Sequence, residues 1–195
     1  MKKEIKKYFD FDGVILDTSP LLFEEWKKNP DRHSLPESEK IKYIQNADWK
    51  KIINNSREIN DAIYCLKHIN INTSFIATKI HSLPEEAREK VAYLRDKGVR
   101  QNIILIPWYL KKTDIIDAKE NILIDDGLFN LDDWYNCGGI PIFFNEDGND
   151  TDTWHQRNDK GYQKVLSLHH FIDMWYNLNS LYRKKFIERY IKNEY

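Results

Sequence analysis

The stretch Tyr8-Phe9-Asp10-Phe11-Asp12-Gly13-Val14-Ile15-Leu16-Asp17-Thr18 decides how the rest of the chain reads. An apolar pair runs into two aspartates one residue apart, then a glycine, then an apolar run closed by Asp17-Thr18. Alternate side chains of a strand share a face. A strand over about Lys6 to Phe11 therefore predicts that Asp10 and Asp12 project together from its end. Carboxylates that close repel and titrate unequally. One can stay ionised, to attack or to hold a metal, while the other carries a proton.

Outward from this stretch, short apolar strands alternate with helices. Ser19 to about Ser56 reads as helices, broken at Asn29-Pro30-Asp31, with Asp48 as a cap ahead of Trp49, Ile52 and Ile53. Arg57 to Ile69 carries a further helical period. Asn72 to Ala77 reads as a strand that ends at Thr78. Ser82-Leu83-Pro84-Glu85 has the residues of a helix start, and Gly98 those of its stop. Asn102–Ile106 and Asn121–Ile124 read as strands, the second ending at Asp125-Asp126. A short helix around Leu131 to Tyr135 precedes a strand over Ile140–Phe144. This alternation predicts an α/β fold with a parallel sheet covered on both faces. In such sheets chemistry gathers at the carboxyl ends of the strands, where Asp10, Asp12, Thr78, Asp125 and Asp126 fall.

These motifs, in this order, resemble the phosphatase branch of the haloacid dehalogenase (HAD) superfamily. Asp10-Phe11-Asp12-Gly13-Val14-Ile15-Leu16-Asp17-Thr18 matches its first motif, Phe75-Ile76-Ala77-Thr78 its second, Lys112 or Lys111 its third, and Ile122-Leu123-Ile124-Asp125-Asp126 its fourth. Lys112 is favoured over Lys111 because a threonine follows it. The run from Asn121 to Leu131, with Trp134 and Gly138-Gly139-Ile140-Pro141-Ile142-Phe143-Phe144-Asn145, is similar to the 5'(3')-deoxyribonucleotidase family (cytosolic type C). Trp154 and Val165-Leu166-Ser167-Leu168 add to that similarity. Where the family has Thr-Ser-Pro, this chain has Thr78-Lys79-Ile80.

The resemblance implies a HAD-like, Rossmann-like parallel sheet with a small helical cap inserted after strand one. The core would be residues 1–18 and 57–168 and the cap 19–56; beyond the resemblance, helical spacing makes 169–195 a C-terminal amphipathic helix packed on the core or at a dimer interface. It implies a phosphomonoesterase for (deoxy)nucleoside monophosphates, with Mg2+ as cofactor. Asp10, the carbonyl of Asp12, and Asp125 or Asp126 would bind Mg2+, a hard cation that takes oxygen ligands. Asp10 would be the nucleophile and Asp12 the general acid and base. Thr78 and Lys112 would hold phosphoryl oxygens, and Gly13 would let backbone amides approach them. The alternatives are a HAD phosphatase for another small phosphate ester or a nucleic-acid end, and a non-catalytic binding protein on the same scaffold.

The cap aromatics Phe23, Trp26, Tyr43 and Trp49 either stack on a base or bury the cap's inner face. In the last stretch Phe171, Met174, Trp175 and Leu178 recur at helical spacing. His169-His170 are helix neighbours and point apart, so they make no metal pair. Asn145 to Lys160 reads as a loop.

Composition narrows the partners. With 195 residues, 30 Lys and Arg against 31 Asp and Glu, the net charge is −1. That balance argues against a broad electrostatic grip on nucleic acid and leaves room only for a local basic patch. Cys65 and Cys137 have neither metal-site spacing nor a disulfide framework and read as reduced, mostly buried thiols. No stretch reaches the roughly 20 apolar residues of a membrane span, and no signal-length apolar run precedes Asp10. The expected location is the cytoplasm.

Overall fold

Strand β1 (Lys7–Phe9) is shorter than its sequence pattern, which extends to Phe11: the strand stops before Asp10. The computed structural model describes residues 4–148 and 161–177. After β1 the chain turns tightly. Gly13 takes φ +73°, and its N–H donates to the Leu16 carbonyl at 2.8 Å. The turn leads into β2 (Leu16–Asp17). Helices α1 (Ser19–Leu22), α2 (Glu24–Lys28), α3 (Glu37–Gln45) and α4 (Trp49–Asn55) follow. The Asp48 carboxylate caps α4 by accepting from the Lys51 N–H.

The chain returns through β3 (Arg57–Glu58), antiparallel to β2 with Leu16 opposite Glu58 and Asp17 opposite Arg57. This two-stranded neck corrects the helix expected from Arg57: helix α5 begins only at Ala62 and runs to His68. Arg57 clamps the neck by donating to Glu146 at 2.7 Å and to Asp17 at 3.2 Å.

Strand β4 (Ser74–Ile80) runs two residues beyond Thr78, pairing Lys79 with Ile106 and Ile80 with Pro107 of β5 (Asn102–Pro107). Between them lies α6 (Glu85–Asp96). Ser82 does not cap it. The Glu86 carboxylate instead accepts from the His81 and Ser82 N–H groups. The remaining elements are β6 (Ile122–Asp125), α7 (Leu128–Asn136), β7 (Ile140–Phe144), β8 (Gln163–Val165) and α8 (Leu168–Ile172), then a π-helical turn, Asp173–Asn177.

The six strands of the main sheet are parallel, in the order β5-β4-β1-β6-β7-β8. Their residues alternate between two cores. Phe9, Ile122, Ile124, Ile140 and Ile142 face one side with Leu66, Leu94 and Phe171. Tyr8, Leu123 and Phe143 face the other with Leu131 and Trp134. Burial on both faces is why these strands read as continuous apolar runs. Leu22, Ile44, Trp49, Ile52 and Ile53 of the inserted helices belong to the first core, so this segment is anchored in the sheet's own hydrophobic cluster.

Phe171 meets Phe9 edge-on at 5.7 Å, so the described start of the C-terminal stretch packs on the core. Residues 178–195 and Trp154, with most of the Asn145–Lys160 loop, lie outside the described residues. Cys65 is buried, but Cys137 is exposed, a correction to the expectation of mostly buried thiols: it is the C-cap of α7, just past the helix end at Asn136. Among the described residues no helix is long and apolar enough to cross a membrane.

Candidate active site

The strand order reverses direction at β1. The chain builds β4 and β5 on one side, then crosses to β6, β7 and β8 on the other. A crevice opens at the carboxyl end of the strands at such a reversal. Asp10 stands in it, its N–H donating to the Ile124 carbonyl of β6 at 3.0 Å. Asp125, the last residue of β6, and Asp126 stand beside it. One carboxylate oxygen from each of Asp10, Asp125 and Asp126 lies within 4.8 Å of the others.

Asp10 and Asp125 are buried and Asp126 is half-buried, and their charge is partly balanced by Lys112. That side chain is 1 % exposed, with Nζ 3.1 Å from Asp10 Oδ1 and 2.6 Å from Asp125 Oδ2. Lys111 is the exposed neighbour and pairs with Asp133. Lys112 is therefore the lysine that faces the carboxylates. Burial pushes the Asp10 pKa well above the usual carboxylate range. Lys112 opposes that rise, while the charges of Asp125, Asp12 and Asp126 add to it. Burial also disfavours the Lys112 ammonium, but Asp10 and Asp125 outweigh it and keep the pKa raised.

Asp125 is held from all sides. Its Oδ1 accepts from the Gly127 N–H at 2.8 Å, and the Asn130 amide donates to both of its oxygens at 3.1 Å. Asp126 lies against Gly13, where any Cβ would collide with its carboxylate. Gly13 thus serves Asp126 as well as the positive φ of the turn.

Asp12 is placed differently. Its carboxylate, 32 % exposed, accepts from the Thr18 hydroxyl at 2.8 Å and from Lys90 at 2.5 Å. Thr78 is fully buried. Its hydroxyl donates to the Lys79 carbonyl and accepts from Lys90, both at 3.2 Å. The expected site residues therefore fall into two groups: Asp10, Lys112, Asp125 and Asp126, and then Asp12 with Thr78 around Lys90.

A cavity of about 540 Å3 reaches from Asp10, Asp12 and Asp126 to the underside of the inserted helices. Of the four aromatics singled out in the sequence, Phe23 and Trp49 line it. Trp49 is held there by its Nε1–H donating to the Ile44 carbonyl. Trp26 and Tyr43 pack on each other, 5.2 Å apart, away from the cavity lining. His81, Trp108, Tyr109 and Phe129 also line it, with His81 and Trp108 parallel to within 6°. Lys79 lies 5.1 Å over the Phe129 ring, its pKa lowered first by burial and then by Lys112.

Sequence reasoning passed over Lys90, Glu86, Asn130 and the lining residues His81, Trp108, Tyr109 and Phe129. A signal existed for the first. Ala87, Lys90 and Leu94 share the buried face of α6, so a lysine stands at an apolar position of the helical period.

No family model matches the chain, and no curated protein does. Solved structures do. A hydrolase from Pseudomonas syringae is similar at TM-score 0.60 and 15% identity, covering 87% of this chain and 98% of that one. L-2-haloacid dehalogenase from Xanthobacter autotrophicus is similar at TM-score 0.59 and 11% identity, over 90% of this chain and 100% of that one. A HAD phosphatase from Thermococcus onnurineus is similar at TM-score 0.55 and 12% identity, over 89% and 98%. At these identities the likeness shows the fold, which is the α/β, HAD-like parallel sheet flanked by helices.

Proposed function

We propose that this chain is a Mg2+-dependent phosphomonoesterase that hydrolyses (deoxy)nucleoside monophosphates to nucleoside and phosphate. The observation that carries the reading is the Asp10 carboxylate. It is buried at the end of β1, 3.1 Å from Lys112, beside Asp125 and Asp126, and open to the cavity that Asp12 also lines.

The donor set suits Mg2+. Its groups are hard oxygens, and three carboxylates exceed the positive charge that Lys112 brings. Asp10, Asp125, Asp126 and the carbonyl of Asp12 would hold the ion. When bound, Mg2+ supplies positive charge that lets an anionic ester approach these carboxylates.

An Asp10 oxygen attacks phosphorus, the ester P–O bond breaks, and its electron pair leaves with the departing oxygen. Asp12 gives that oxygen a proton. Asp12, now a carboxylate, takes a proton from water, whose oxygen attacks phosphorus. The bond to Asp10 breaks, releasing phosphate and restoring the carboxylate. Lys112 places positive charge beside the phosphoryl oxygens.

The four helices over 19–55 act as a cap that excludes water and selects the leaving group. Phe23, Trp108, Tyr109 and Phe129 give the cavity aromatic faces suited to a planar base. Phosphate release with Mg2+ across deoxy- and ribonucleoside monophosphates and sugar phosphates tests this. The reading expects turnover that favours the nucleotides. Equal rates on sugar phosphates would remove the nucleotide assignment, and no release from any ester would remove the phosphatase assignment.

A further inference from the structure

Lys90 is a fully buried lysine that the mechanism above leaves without a task. Its ammonium has three N–H groups and four acceptors in reach: Asp12 Oδ2 at 2.5 Å, Glu86 Oε1 at 2.7 Å, the Lys79 carbonyl at 3.0 Å and Thr78 Oγ1 at 3.2 Å. The Phe11 and Trp49 rings stand 5.4 and 5.3 Å away. Burying an ion pair rarely adds net stability over an apolar pair of the same size. A Lys90–Glu86 pair on the apolar face of α6 is therefore poorly explained by folding alone.

Its placement supplies a reason. Glu86 is 1 % exposed, fixed by the His81 and Ser82 N–H groups, and four residues from Lys90 on one helix. It anchors the ammonium from the protein side. The other end of the chain of contacts is Asp12, whose carboxylate reaches the cavity. Thr18 holds Oδ1 and Lys90 holds Oδ2, so the plane of the carboxylate is fixed. A carboxylate offers about four lone-pair sites, and these two contacts leave others open to a proton.

We propose that Lys90, anchored by Glu86, is a positioning residue that holds the Asp12 carboxylate in the orientation from which it serves the leaving oxygen. This rests on the phosphatase reading above. Proton donation matters for a poor alkoxide leaving group and little for a stabilised aryloxide. In a covalent mechanism kcat/KM reports only the steps through departure of that first group. The Lys90 contribution therefore depends on the ester, whereas general loosening of the fold would not.

The experiment compares kcat/KM of the unaltered chain, Lys90→Met, Asp12→Asn and the double variant, with Mg2+. The substrates are a nucleoside 5'-monophosphate and p-nitrophenyl phosphate. Lys90→Met should lose roughly 100-fold on the nucleotide, at the low end of general-acid contributions, and less than about 5-fold on the aryl ester. The double variant should lose no more than Asp12→Asn alone, because the two groups act as a unit. Equal losses on both esters, or losses that multiply in the double variant, overturn the assignment of Lys90 while leaving the phosphatase reading intact. A wild type inactive on both esters overturns that reading and this one with it. Should Lys90→Met fail to fold, Glu86→Gln carries the test: a smaller loss with the same asymmetry supports the proposal, and a symmetric loss overturns it.

Discussion

Two buried ammonium groups flank the same turn, and each bridges two carboxylates. Lys112 lies 3.1 Å from Asp10 and 2.6 Å from Asp125. Lys90 lies 2.5 Å from Asp12 and 2.7 Å from Glu86. The resemblance ends there. On the Lys112 side a further carboxylate, Asp126, joins the cluster, and burial drives the Asp10 pKa up. On the Lys90 side the second carboxylate is turned into the protein. Burial would raise the Glu86 pKa, but the Lys90 charge and the hydrogen bonds to Glu86 bring it down to about 2. One lysine faces an excess of negative charge suited to a metal and a phosphate. The other completes a closed ion pair whose outer end holds Asp12. Carboxylates two residues apart thus acquire different surroundings from the elements that arrive on either side of β1.

The largest effect expected from this contrast is on the Lys112 side. Lys112→Met leaves Asp10 and Asp125 buried without their cation and should cost about 3–5 kcal/mol, read from the denaturant midpoint. A variant as stable as wild type would mean that these carboxylates are neutral without Lys112.

Acid titration sharpens the other side. A carboxyl depressed from 4.5 to about 2 contributes stability that is present above its unfolded value and is lost as pH falls through that window. At about 1.4 kcal/mol per pKa unit this is on the order of 3 kcal/mol. Stability measured from pH 5 to 2 should fall more steeply in the wild type than in Glu86→Gln. Parallel curves would show that the pair does not protect Glu86.

Gly13→Ala forces a Cβ into a left-handed backbone and against the Asp126 carboxylate. It should cost about 1–3 kcal/mol and weaken Mg2+ activation of phosphate release. Unchanged Mg2+ dependence would separate Asp126 from the metal site. The smallest effect belongs to the cavity rim: Trp108→Ala should raise KM for nucleotides by a few fold, about 1 kcal/mol of lost stacking, and leave KM for a sugar phosphate unchanged.

The Asp12–Lys90 contact also marks where the sequence stops being readable. Asp10, Asp12, Gly13, Asp125 and Asp126 were legible because each lies at a strand end and the strands announce themselves by apolar runs. Lys112 was favoured over the adjacent Lys111 only by the threonine that follows it, and burial separates the two. Lys90 and Glu86 stand 78 and 74 residues from Asp12 in sequence, on a helix whose polar residues ordinarily face solvent; only the fold brings them back to the first turn. The β2–β3 neck escaped notice because two-residue strands carry no period, and Arg57–Glu58 continues a helical pattern equally well. Trp108, Tyr109 and Phe129 sit in loops and at a helix start, where no periodicity distinguishes a cavity wall from a surface.

The central claim is that Asp10 is the nucleophile. It is tested most directly by acid-quenching the protein during turnover of a nucleoside monophosphate with Mg2+ and mapping covalent phosphate by mass spectrometry. The account predicts a hydroxylamine-labile phosphate on the peptide that contains Asp10, and neither adduct nor turnover in a folded Asp10→Asn variant. Sustained turnover by Asp10→Asn, or a covalent phosphate on another residue, would contradict it.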